Sequence, residues 1–267
     1  MKSINELISL KGRRALITGA NGHLGQQIAI TVAELDGDLI LVDQPGSNYD
    51  CLLNKLTSNF DIEVQCIDAN LEDKESRDNL VLNVLKQDKP LNILINNAAF
   101  VGTSDLDGWA VDCNEQSIYT WRRALEVNLT AVFDLSKSLS NKLKESGHAT
   151  IINLGSIYGS LGPNMSIYEG TEMGNPAAYA ASKGGVIQLT RWLSTSLAPD
   201  VRANTVSPGG IFRNQPKIFV KRFESLVPLG RMATEQDLKG AIAYLSSDLS
   251  EYVTGQNIVV DGGWSAW

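Results

Sequence analysis

The segment Tyr179-Ala180-Ala181-Ser182-Lys183 sets a phenol and an ammonium four residues apart. On a helix that spacing puts both side chains on one face, one turn apart. An ordinary tyrosine, with a pKa near about 10, is a poor base at neutral pH. A cation one turn away favours the phenolate and moves the group toward general acid–base work. Asn175-Pro176 reads as an N-cap followed by proline at the first helical position, which fixes where this helix begins. Two further polar groups stand beside apolar runs: Ser156 after Asn153-Leu154-Gly155, and Asn128 in Val127-Asn128.

A second chemistry lies near the start. Thr18-Gly19-Ala20-Asn21-Gly22-His23-Leu24-Gly25 follows the run Arg14–Thr18 and precedes an amphipathic stretch. Glycines there let the backbone approach a pyrophosphate, and a helix N-terminus offers unpaired N–H groups. Asp43 ends the next apolar run, twenty-four residues beyond Gly19. A carboxylate at that place accepts hydrogen bonds from the adenosine ribose and repels a 2′-phosphate. No Lys or Arg lies in the glycine turn or directly after Asp43. The pattern indicates NAD, with NADP less favoured.

The elements that must position these groups alternate along the chain. Short apolar runs at Arg14–Thr18, Leu39–Asp43, Glu63–Ile67, Leu91–Ile95, Thr150–Leu154, Val201–Val206 and Asn257–Val260 suit strands buried on both faces. Between them, helical patterns are predicted over Leu24–Leu35, Asp73–Gln87, Thr120–Glu145, Ala177–Leu197 and Thr234–Ser247. The alternation predicts an α/β fold: one Rossmann-type, doubly wound domain over residues 1–267, with a seven-stranded parallel sheet and helices on both faces. The cofactor half covers about 12–100 and the catalytic half about 101–267. No repeat or Pro/Gly/Ser linker divides them.

Composition narrows the function classes. The 267 residues are 43% hydrophobic and 20% charged, enough apolar material for a core. A net charge of −7 argues against a nucleic-acid groove or an anionic membrane surface, so a small-molecule substrate is the expected partner. No apolar run reaches membrane-spanning length, and the N-terminus lacks a secretory h-region. Cys51, Cys66 and Cys113 fit no disulfide framework or metal knuckle, which points to a reducing cytoplasm. With only His23 and His148 as histidines, no metal site is expected.

Taken together, these motifs resemble the short-chain dehydrogenase/reductase family across nearly the whole chain. Thr18, Gly19 and Gly25 match its Thr-Gly-x-x-x-Gly-x-Gly turn, with His23 at the middle glycine. Asp68-Ala69 looks like its adenine-contacting pair, Asn96-Asn97-Ala98-Ala99 like its Asn-Asn-Ala-Gly segment, and Ser207-Pro208-Gly209-Gly210-Ile211 like the Pro-Gly motif beside the nicotinamide. The resemblance implies cofactor contacts from Gly19, Asn21, Gly22, His23, Leu24, Gly25, Asp43, Asp68, Ala69, Asn97, Ala98, Ala99, Tyr179, Lys183, Pro208, Gly209 and Ile211. Arg213 replaces the Thr usually met five residues after the proline. The implied catalytic set is Asn128, Ser156, Tyr179 and Lys183. Tyr179 exchanges the hydroxyl proton and Ser156 orients the reacting oxygen. Lys183 binds the nicotinamide ribose and tunes Tyr179, while Asn128 supports a water-linked relay through the lysine. In this family the helices corresponding to Thr120–Glu145 and Ala177–Leu197 pair across a two-fold axis, which implies a homodimer or homotetramer.

Ser156 and Tyr179 stand twenty-three residues apart, farther than in many members. The additional segment, within Leu161–Asn175, should arch over the site with Asn164, Tyr168, Glu169, Thr171 and Glu172. A second stretch, Val101–Thr120, mixes Trp109 and Tyr119 with acidic residues and suits a carbohydrate ring. Substrate contacts are expected from Tyr158, Tyr168, Glu169 and Arg213. Ser156-Ile157-Tyr158-Gly159 and Ile167-Tyr168-Glu169-Gly170-Thr171 resemble the flagellin-modification protein A branch, associated with nonulosonic, sialic-acid-like sugars of surface glycans. A sugar or nucleotide sugar is thus the first expectation. A 3-ketoacyl thioester or polyol is the alternative on the same chemistry, and a non-catalytic dinucleotide-binding protein the third.

Overall fold

The computed structural model describes residues 1–101 and 104–267. Strands β1 (Arg14–Thr18), β2 (Asp38–Asp43), β3 (Val64–Asp68), β4 (Ile93–Asn96), β5 (Ala149–Leu154), β6 (Val201–Pro208) and β7 (Asn257–Val260) form one sheet. Their order is β3-β2-β1-β4-β5-β6-β7, and every neighbouring pair is parallel. In β1, β4 and β5 every residue is buried, as a sheet covered on both faces requires.

The helices are α1 (Ile4–Ile8), α2 (His23–Ala33), α3 (Asp50–Asn59), α4 (Lys74–Leu85), α5 (Ile118–Leu125), α6 (Ala131–Ser138), α7 (Ser140–Glu145), α8 (Ala177–Ser196), α9 (Lys217–Glu224) and α10 (Lys239–Ser246). Alternate strand residues face opposite layers. Ala15 and Ile17 pack with Ile28 and Val32 of α2, Leu52 and Leu56 of α3, and Ile242 and Leu245 of α10. Leu16 packs on the other side with Leu80 and Val84 of α4, Leu135 of α6 and Leu193 of α8. The strand order reverses between β1 and β4, so the ends of these strands open the crevice where an open α/β sheet binds ligands.

The expected helix over Thr120–Glu145 is broken twice. A π-helical turn, Glu126–Thr130, joins α5 to α6, and Leu139 separates α6 from α7. At the first break the buried Arg77 guanidinium of α4 reaches across, bonding Glu126 in the turn at 2.7 Å and Asp134 on α6 at 2.9 Å. Helix α8 is capped by Pro176 rather than Asn175, so the cap lies one residue later than expected. The short helices α1, α3 and α9 were not expected. Below the crevice a buried polar ladder ties β4, β5, β6 and α8. Asn96 Nδ2 donates to Asn153 Oδ1 (2.8 Å), and Asn153 Nδ2 and the Thr205 hydroxyl both donate to Thr190 Oγ1 (2.8 Å each).

Candidate active site

A cleft of about 540 Å³ runs along the ends of β1, β2 and β4, lined by Gly19, Gly22, His23, Leu24, Gly25, Asp43, Ala69, Asn97, Ala98 and Ala99 among others. Helix α2 points its N-terminus into the cleft, and its cap residue Gly22 supplies no side-chain hydrogen bond. First-turn N–H groups there remain free for an anion. A Cβ on Gly25 would sit 2.0 Å from Gly19 O, so glycine lets the turn fold onto its own helix. His23 has helical backbone at the start of α2 and needs no glycine. Thr18 holds the opposite rim, its hydroxyl accepting from Asn97 N and Ala98 N at 3.1 Å each. Asn97 Nδ2 donates back to Thr18 O and Gly19 O, both at 3.0 Å.

Asp43 stands on this cleft with both oxygens oriented by backbone, accepting from Asn21 N and Gln44 N at 2.8 Å each. These residues fit an adenosine ribose at Asp43 and phosphates at α2. Two expected contacts differ. Asn21 serves the cleft through its N–H on Asp43, while its side chain bonds Asn48 O. Asp68 lies outside the lining, exposed, and only Ala69 of that pair faces the cleft.

Ser156, Tyr179 and Lys183 converge on an adjoining cavity of about 310 Å³, together with Pro208, Gly209 and Ile211. Lys183 is 4% exposed and its Nζ donates to Leu154 O at 2.7 Å, tethering α8 to the end of β5. The same Nζ lies 5.9 Å from the centroid of the Tyr179 ring. Burial pushes the Lys183 pKa down to about 8. Burial also raises the Tyr179 pKa, against the lowering effect of the nearby Ser156 hydroxyl. The expectation of a depressed tyrosine is therefore corrected. With the groups this chain supplies, desolvation of the phenolate outweighs its stabilisation, and Tyr179 holds its proton at neutral pH.

Asn128 occupies the π-helical turn, 1% exposed. Its Oδ1 accepts from Phe100 N at 2.8 Å, and its Nδ2 donates to Phe100 O at 3.0 Å and Ser182 Oγ at 3.1 Å. It thereby fastens the chain after β4 to α8, one residue from Lys183. π-turns recur where a helix must offer a side chain out of register, often at functional sites.

On the substrate side, Tyr158 and Tyr168 line the cavity with their hydroxyls 3.1 Å apart. Phe219, Phe223, Met173 and Met232 complete the wall, and Asn175, Arg213 and Gln215 add polar groups. Phe219 and Phe223 stand four residues apart, a helical signal passed over in the sequence. Tyr168 packs on Phe219 with ring centroids 5.3 Å apart, which anchors the additional segment to α9. Glu169 is exposed and lies outside the lining; its backbone carbonyl accepts from Arg222. Trp109 is 2% exposed beneath Ala124 and Ala178, unavailable for stacking on a sugar. Of the stretch 101–120, Val101 alone lines the cavity among the described residues, and 102 and 103 lie outside them.

Residues 19–265 match the family model described as enoyl-(acyl carrier protein) reductase. Post-translational flagellin modification protein A of Campylobacter coli is 28% identical over 96% of this chain and 99% of its own. A 3-oxoacyl-(acyl-carrier-protein) reductase of Rickettsia felis is 33% identical over 96% and 98%. The crystal structure of a short chain dehydrogenase from Leptospira borgpetersenii with bound NAD+ is 32% identical, with 99% of this chain and 96% of that one covered at a TM-score of 0.84. The family match runs from the glycine turn to the C-terminal segment and takes in β2 to β7. On that extent the chain belongs to the short-chain dehydrogenase/reductase family, oxidoreductases of alcohol and carbonyl groups.

Proposed function

We propose that the protein uses NAD to oxidise or reduce a hydroxyl/carbonyl carbon of a polar substrate, a sugar or nucleotide sugar destined for surface glycans. The carrying observation is that Ser156, Tyr179 and Lys183 share one cavity, which joins the cleft containing Asp43. The nicotinamide, when bound, supplies or accepts the hydride. Tyr179, protonated at neutral pH, donates to the carbonyl oxygen in reduction and recovers that proton in oxidation. Ser156 lines the same cavity as the phenol and can orient the same oxygen. Lys183 offers a buried cation against the charge that develops on Tyr179.

Aromatic rings mixed with the Tyr158 and Tyr168 hydroxyls and Gln215 support the carbohydrate reading. The 28% identical flagellin modification protein supports it as well. A 3-oxoacyl thioester is the second reading. It is favoured by the apolar wall of Phe219, Phe223 and Met232, and by Lys217, Lys221 and Arg222 on α9, whose charge suits an acidic carrier. NAD(H) absorbance change over a panel of sugar phosphates, nucleotide sugars and keto-acyl thioesters separates the two. Turnover confined to thioesters overturns the first.

Asp43 carries the choice of NAD. The unmodified protein is expected to bind NADH more tightly than NADPH, and Asp43→Ala to narrow the difference. Calorimetry that finds NADPH at least as tight in the unmodified protein removes this assignment. We further propose a cytoplasmic homodimer or homotetramer. Trp192 and Phe133 stand 55% and 40% exposed on α8 and α6, edge to face at 6.4 Å, apolar surface suited to a second copy. Light scattering that returns a monomer at micromolar concentration contradicts it.

A further inference from the structure

We infer that Arg213 clamps the diphosphate of the dinucleotide, closing the cleft opposite the N-terminus of α2. The inference rests on the dinucleotide reading above. The cleft that holds Asp43 and the cavity that holds Tyr179 meet along a seam lined by Leu24, Asn97, Ala99, Val101 and Arg213. A dinucleotide with its adenosine ribose at Asp43 and its nicotinamide at Tyr179 must pass its two phosphates through that seam, because they lie midway along the molecule. Of the five seam residues, Arg213 alone carries a charge. Leu24 brings the uncapped start of α2 to the same place. A full positive charge and a helix N-terminus therefore border the path of a group with two negative charges.

The chain holds this arginine ready. Phe212 N donates to Ala233 O at 2.8 Å, Arg213 N to Gln215 Oε1 at 2.7 Å, and Gln215 Nε2 to Ile211 O at 2.8 Å, so the backbone around it is fixed. One edge of the guanidinium, through Nη2, lies 3.0 Å from Glu235 Oε1. Its Nε is buried without a partner among the described residues. A guanidinium has five N–H donors, and one carboxylate leaves most of them unfilled. Glu235 thus orients the fork without saturating it. Lys183, the other cation of the catalytic cavity, is engaged with Leu154 O, away from the seam.

The test titrates the full-length protein by calorimetry with ADP-ribose, which carries the diphosphate, and with adenosine, which lacks it, the latter by displacement. Arg213→Gln should weaken ADP-ribose roughly ten- to a hundredfold, the range of a lost charge-assisted hydrogen bond. Adenosine affinity should stay unchanged, and the salt dependence of ADP-ribose binding should flatten. Arg213→Lys, which keeps the charge and loses the fork, should fall between. Equal ADP-ribose affinity in the unmodified protein and Arg213→Gln overturns the clamp; a raised substrate KM alongside it would assign the guanidinium to a substrate anion instead. Parallel losses of ADP-ribose and adenosine also overturn it, since they mark a damaged cleft. An unmodified protein that binds neither ligand fails earlier, at the dinucleotide reading itself.

Discussion

Tyr179→Phe should lower turnover by roughly 10²–10⁴-fold, the usual worth of a positioned proton donor. The ring packs against Trp109, Ala124 and Ala178, and phenylalanine keeps that packing. Cofactor affinity and melting temperature should therefore change little, so the loss falls on kcat. The pH profile of the unmodified enzyme carries the same argument. Burial raises the Tyr179 pKa, so its phenol stays protonated across the neutral range. Burial lowers that of Lys183 to about 8, so its cation is present below that pH and lost above it. Carbonyl reduction should be level at acid pH and decline as pH rises through about 8, where the cation that steadies the charge developing on Tyr179 is lost. A Tyr179→Phe enzyme with near-normal kcat takes Tyr179 out of its role.

Asn128→Ala is the second large effect, and it falls on stability and activity together. The side chain satisfies both the N–H and the C=O of Phe100 and bonds Ser182 next to Lys183. Its removal leaves two half-buried backbone groups at the edge of the cleft without their partner, each costing up to about 1–3 kcal/mol. A chain of this size loses roughly 2–4 °C of melting temperature per kcal/mol, so thermal unfolding should begin several degrees earlier. Both NAD affinity and kcat should fall, because Phe100 lines the dinucleotide cleft while Ser182 adjoins Lys183. Unchanged melting and unchanged kinetics would show that the π-helical turn holds its shape without this clamp.

Much of this was legible in the residues. The strands announced themselves because a sheet covered on both faces needs short, mostly apolar runs, and all seven were found within two residues of their ends. That Tyr179 and Lys183 share one cavity and Asp43 stands on the adjoining cleft was legible because such placement depends on local spacing along one helix or one strand. What escaped depends on distant partners. The stripe Leu125, Leu129, Val132 reads as continuous helix, and nothing near it reveals that Arg77, about fifty residues earlier, pairs with Glu126 and Asp134. The Tyr179 pKa went astray similarly: a neighbouring lysine is visible in sequence, whereas the degree of burial is not. In the segment after Ser156, Tyr168 and Glu169 looked equally suited to substrate. The chain turns only one of them inward, and the aromatic ring is the one that finds partners on α9.

Those partners form a cluster of their own. Ile157, Ile167, Tyr168, Phe219, Phe223, Val227, Met232 and Trp264 pack with one another, apart from the two layers that sandwich the sheet. Phe223 stacks on Trp264 at 4.4 Å and Phe219 at 5.9 Å, so the rings lean chiefly on each other. Five of them, Ile157, Tyr168, Phe219, Phe223 and Met232, also face the cavity beside Ser156 and Tyr179. A change of side chain in this wall meets first its own cluster, which shares no buried residue with the two that pack on β1, β4 and β5. Substitutions in this wall should therefore change which molecules the cavity accepts one residue at a time, while the sheet ends that hold Asp43, Ser156 and Lys183 keep their packing.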